Sequence, residues 1–293
     1  MSANGVETPL LFQCAGKQLL GMLHLPHQPV RTGVVMVVGG PQYRVGSHRQ
    51  FLLLSRFLAQ HGVAVFRFDY RGMGDSEGEI SSFEAVDDDI KAAIDTFLTH
   101  APGVQRVMLW GLCDAASAAL FYAHQDRRVS HLLLLNPWVR TEAGQAKAYL
   151  RHYYLQRVMD KEFWQKLVSG KFDFRASLGS MLGFVRAIRQ REDIAAGAVE
   201  APASSQKCRS LPLPERMLEG MNSFDGAVCI VISGDDLTAA EFMDLVNSSK
   251  GWRKVLKKKQ VGFKFLDEAN HTFSTRQWRD QVAQWSLECV KGD

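Results

Sequence analysis

The sequence predicts an α/β fold: a mostly parallel, doubly wound sheet interrupted by one helical insertion. Three observations carry this. Apolar, β-branched runs of strand length alternate with helical patterns along the first half of the chain. The alternation then lapses from about Arg140 to Phe224, where helical stretches occur without a convincing buried strand. It resumes at GAVCIVISG and runs to the end. The expected division is a core made of 1–139 and 225–293, with 140–224 as a helical cap over the ends of the strands.

Taken in order, KQLLGMLHLP (Lys17 to Pro26) alternates loosely and reads as a strand. TGVVMVVGG is a continuous run of the kind buried on both faces of a parallel sheet. HRQFLLLSRFLAQHG is a helix closed by glycine, and GVAVFRFDY is a second buried strand. In SFEAVDDDIKAAIDTFLTHAPG, Ser82 is the expected cap, with acidic residues in the early turns. VQRVMLWG and HLLLLNPW supply the next strands. After the insertion come GAVCIVISG, a helical stretch, the short strand VGFKFLD and the closing helix STRQWRDQVAQWSLECV.

Composition narrows the class. With 293 residues, 46% hydrophobic and 23% charged, the chain is an ordinary globular protein. A net charge of +4 does not indicate a nucleic-acid partner. No apolar run reaches bilayer length, and the N-terminus has no export signal pattern, so the expected location is cytoplasmic. Five scattered cysteines without a CxxC pair fit reduced thiols rather than disulfides or zinc. No metal or organic cofactor is implied, because neither a ligand cluster nor a dinucleotide fingerprint occurs.

The chemistry gathers around RVMLWGLCDAASAALFYAH. A strand meets Gly111, then Cys113, then Ala115 and a helical pattern, which is the layout of an elbow that presents a nucleophile. Small residues two positions either side permit the tight turn, and the helix behind supplies N–H groups and partial positive charge. The pattern is G-x-C-x-A, with sulfur where a serine hydroxyl is usual; the plainer reading is a small buried hydrophobe. An acid and then a histidine are expected after later strands. GDDLTA offers Asp236, with Asp235 as the alternative acid, and DEANHTFS offers His271 as base. Oxyanion donors are expected from the backbone N–H of Asp114 and from Gln42, because Pro41 has no N–H. The stretch FDYRGMGDSEG, with Asp69, Arg71 and its glycines, reads as a framework turn.

With GGPQ, FDYRGMGDSEG, GLCDAAS, GDDLTA and NHTF in that order, the chain resembles the α/β-hydrolase superfamily over nearly its whole length. It is similar, more narrowly, to the first of two hydrolase families associated with the exosortase A system. That resemblance implies the α/β-hydrolase fold, Cys113, Asp236 and His271 as nucleophile, acid and base, and a setting of envelope protein sorting or exopolysaccharide production. The expected activity is cleavage of an ester or thioester through an acyl-cysteine. The alternatives are an acyltransferase using the same intermediate and a non-catalytic scaffold. The expected partner is a small-molecule or carrier-bound acyl substrate. Between Arg140 and Arg191 eleven basic residues face four acidic ones, which reads either as a solvated helix face or as a site for an anionic substrate or lipid surface. Oligomeric state is not legible.

Overall fold

Eight strands form one sheet in the order β1-β2-β4-β3-β5-β6-β7-β8. The computed structural model describes residues 6–27, 31–40, 42–139, 211–259 and 261–292. Of the expected cap, 140–210 lies outside the described residues. Residues Met1–Val139 and Pro212–Asp293 form one compact unit.

The strands are β1 (Val6–Cys14), β2 (Lys17–Leu25), β3 (Thr32–Val37), β4 (Val65–Phe68), β5 (Arg106–Leu112), β6 (Val129–Leu135), β7 (Ala227–Asp235) and β8 (Gly262–Asn270). β1 pairs antiparallel with β2, and β2 with β4. Every other pairing is parallel. The mostly parallel α/β-hydrolase sheet expected from the sequence is thus present, with an antiparallel hairpin at one edge. β1 is the strand the sequence reading did not mark. Pro9 interrupts it, and most of its side chains face solvent at the edge, so it carries little apolar signal.

Alternate residues of one strand feed two separate cores. Val35 and Val37 join Phe66, Phe97 and Leu109 on one face, whereas Val34 and Met36 join Phe51, Leu58 and Trp110 on the other. Helices α1 (Gln50–Gln60) and α7 (Arg276–Lys291) cover the second face. On the first lie α2 (Asp87–His100), α3 (Asp114–Ala123), α4 (Leu213–Ser223), α5 (Leu237–Ser248) and α6 (Lys250–Lys259). α4 falls in the stretch expected to be helical, and Gly220 lets it approach the backbone of Leu120 on α3. Among the described residues no helix is long and apolar enough to cross a membrane.

One local reading shifts. Ser82 caps a short 3-10 turn, Phe83–Ala85, and α2 begins only at Asp87, because Val86 leaves helical geometry between them. The FDYRGMGDSEG turn is a framework as expected. Asp69, fully buried, accepts the N–H of Arg44 at 2.6 Å and pairs with its guanidinium, while Arg71 grips Asp89 at 2.7 Å. Gly74 has no room for a side chain: an added Cβ would lie 2.3 Å from the Asp69 carboxylate.

Candidate active site

β5 runs straight into α3, and the residue at the joint is Cys113, with φ 63° and ψ −126°. That backbone is unfavourable for any residue but glycine. It is held by a hydrogen bond from the Cys113 N–H to the Leu135 carbonyl at 2.9 Å and by the N–H of Trp138 on the Cys113 carbonyl at 3.2 Å. The turn closes only because position 111 is glycine. A Cβ there would sit 2.6 Å from the Ala115 backbone. The side chain of Cys113 is partly exposed at the head of the helix.

Asp236 and His271 come to the same place from two further strand ends. Asp236 follows β7, caps α5 by accepting the N–H groups of Thr238 and Ala239 at 3.2 Å each, and accepts from His271 Nδ1 at 2.8 Å. His271 follows β8. Its imidazole is pushed up to about 10, first by its hydrogen bond to Asp236 and then by one to Cys113, against the opposite pull of burial. The structure therefore brings Cys113, His271 and Asp236 together. Asp235, the alternative acid, ends β7 opposite Asn270 and faces solvent.

The loop that carries His271 is anchored by a residue the sequence reading passed over. Asn136 is fully buried at the end of β6 with φ 44°. Its amide nitrogen donates to Ser233 Oγ at 2.7 Å and to the His271 carbonyl at 3.2 Å, while its oxygen accepts the Ser233 N–H at 2.9 Å. Ser233 Oγ in turn donates to the Asn270 carbonyl at 3.1 Å. The only signal in the sequence is a polar residue directly after the apolar run HLLLL.

Gln42 and Asp114, expected as oxyanion donors, both accept local backbone hydrogen bonds. Gln42 turns its side-chain oxygen to accept the Ser47 N–H at 3.2 Å. The N–H of Gly40 points instead at Asp114, whose Oδ2 accepts it at 2.8 Å. Asp114 Oδ1 accepts the Ala115 N–H at 2.9 Å, and its own N–H also meets its carboxylate. Burial holds this carboxyl above the ordinary carboxylate range, with these N–H groups and then His271 pulling the other way. Gly39 backs the arrangement, since a Cβ there would collide with Asp114 Oδ1 at 2.0 Å. Among the described residues no group of three or more His, Cys, Asp or Glu side chains is arranged to hold a metal ion.

A family model described as serine aminopeptidase, S33, matches residues 31–177, half of the chain. The chain belongs to this serine aminopeptidase S33 family. A search of curated proteins found no match. Among solved structures the chain is similar to the Pyrococcus furiosus esterase Pf2001, at 14% identity and a TM-score of 0.63, covering 98% of this chain and 92% of that one. It is also similar to an alpha-beta serine hydrolase homologue from Coxiella burnetii, at 15% identity, TM-score 0.57 and 96% coverage of both chains. A third is Est1E from Butyrivibrio proteoclasticus with ferulic acid bound, at 14% identity, TM-score 0.59, covering 96% of this chain and 99% of that one. At these identities the likeness shows the fold.

These findings correct the expected chemistry. The family and one of the neighbours are described by serine, so an ester or thioester hydrolase working through an acyl-cysteine is not what the S33 family carries. The acyltransferase alternative, built on the same acyl-cysteine, goes with it. The family model and these neighbours give no tie to exosortase, envelope sorting or exopolysaccharide production, and that setting is withdrawn. In this member, position 113 itself is a cysteine. Ser117, one turn along α3, does not replace it: it is fully buried and donates to the Trp138 carbonyl at 2.6 Å.

Proposed function

We propose that the chain is an ester-cleaving hydrolase of the S33 family, acting on a small acyl ester at the elbow around position 113. His271 is the proton-transfer group and Asp236 the acid that orients it. The observation that supports this most is the 2.8 Å contact between His271 Nδ1 and Asp236, beside a backbone turn held in a strained conformation at Cys113. In the base form, His271 draws the proton from a water that attacks the acyl carbon and leaves it as a carboxylic acid, and Asp236 steadies the imidazolium that results. The same proton then passes to the departing alcohol. The N–H groups of Gly40 and Asp114, both of which meet the Asp114 carboxylate, are the proposed oxyanion donors.

The attacking group of the family is a serine hydroxyl, so Cys113→Ser gives this site the family's own arrangement. Hydrolysis of short p-nitrophenyl esters is expected to be faster in Cys113→Ser than in the natural chain, and to vanish again in Cys113→Ser with His271→Ala. If Cys113→Ser folds normally and neither form cleaves any ester of an aliphatic and aryl series, the proposal is wrong.

A further inference from the structure

On the face of the sheet covered by α1 and α7, a cavity of about 320 Å³ opens between the first turns of the two helices. Its walls include Phe51, Leu54, Trp110 and Phe273, and its volume lies at the lower end of the ordinary range for small-molecule sites, about 300–1,000 Å³. Neither Cys113, Asp236 and His271 nor Asp114 and Gln42 line it.

Two polar groups set the ligand's chemistry. Gln50 lines the cavity and is only 8% exposed, yet its amide nitrogen has no hydrogen-bond partner among the described residues. The buried Nε of Arg279 is likewise unpartnered, while the other end of that guanidinium reaches the His48 carbonyl at 3.4 Å. A buried donor left unpaired is destabilising, so both gain from an acceptor. At the mouth Arg276 is offset by Asp280 at 3.4 Å, and Arg279 has no ion pair among the described residues. The first turns of α1 and α7 add partial positive charge. Two donors, one net positive charge and apolar walls match a single anionic head on an apolar body.

The geometry points to this cavity as a second binding site, for a small monocarboxylate with an aryl or short acyl body. The carboxylate takes the Gln50 amide and the Arg279 guanidinium, and the body lies against Phe51, Trp110 and Phe273. Phe273 has φ 51° and stands two residues after His271, so the ligand would rest on the loop that carries the base. The site does not depend on the proposed reaction, although a carboxylate is also what ester cleavage releases.

Isothermal titration calorimetry of the full chain with 4-phenylbutyrate, and with 4-phenylbutan-1-ol as its neutral counterpart, tests this. One carboxylate should bind per chain, at least tenfold more tightly than the alcohol. Arg279→Gln, a partly exposed change on a helix surface, should erase that preference, and Ala283→Phe should fill the cavity and remove binding. His271→Ala should bind as the natural chain does. The proposal is overturned by an absence of saturable binding, by equal affinity for acid and alcohol, by a preference that survives Arg279→Gln, or by loss of binding in His271→Ala. Should Ala283→Phe not fold, the Arg279→Gln result decides alone.

Discussion

The Asp114 carboxylate accepts the backbone N–H of Gly40 at 2.8 Å, across a gap of 74 residues in the chain. The N–H proposed to stabilise a developing oxyanion is thereby engaged by a negative charge of the protein itself. The same carboxylate raises the pKa of the nearby buried Tyr70 hydroxyl, after burial's larger effect.

Removing that charge should favour the reaction. Asp114→Asn keeps the shape and the contact to Gly40 but takes the negative charge from the place where an oxyanion forms. The expected outcome is a rise in kcat of about tenfold, equivalent to about 1.4 kcal/mol, with KM within a factor of two. Stability should fall slightly, since an acidic residue at a helix start contributes roughly 0.3–1 kcal/mol. Steady-state kinetics and a thermal melt on the same preparation check both, and a fall in kcat with unchanged folding would contradict the first.

Asp236 should set the pH dependence. With the His271 imidazole pushed up to about 10, chiefly by Asp236, the base form accumulates only in alkaline solution. The rate kcat/KM should therefore climb toward pH 10, and Asp236→Asn should draw the rising limb down toward an ordinary imidazole, near 6.5. The linked stability has a definite sign. The folded value lies above the unfolded one, so the stabilisation is complete below about 6.5 and is lost as the pH rises through 10. Denaturant unfolding of the natural chain and His271→Gln at the two ends of this range should show the difference shrinking with pH.

Asn136 should matter to folding and to the site together. Asn136→Ala leaves the buried N–H of Ser233 without its acceptor and frees the His271 carbonyl. Orphaned buried groups cost about 1–3 kcal/mol each, so a loss of about 3 kcal/mol in urea unfolding is expected. Activity at a temperature where the variant is folded should also drop, because the His271 loop loses its anchor. A variant as stable as the natural chain would show that the network carries no weight.

The strands and the chain order of the site were legible because both leave local traces. Apolar runs mark β3, β5 and β6, and Cys113, Asp236 and His271 each stand just after a strand end. The choice between Asp235 and Asp236 was not legible. Two neighbouring carboxylates differ only in where the strand stops, and here β7 carries Asp235 outward while Asp236 turns to cap α5 and face His271. Nor was the Gly40–Asp114 contact, which depends on two turns meeting in space, or Asn136, whose partners lie 97 and 135 residues away. The chemistry was over-read from one side chain. A cysteine at the elbow suggested thiol catalysis, whereas the family to which the chain belongs is described by serine.

The most direct measurement is kcat/KM for p-nitrophenyl butyrate with the natural chain and with His271→Ala, both checked for folding by circular dichroism. Proton-transfer groups in such sites contribute about 10²–10⁴-fold. The account predicts saturable hydrolysis by the natural chain and a loss of at least about a hundredfold in His271→Ala. Hydrolysis that survives the substitution within a few-fold would contradict it, and would place the reaction away from the elbow.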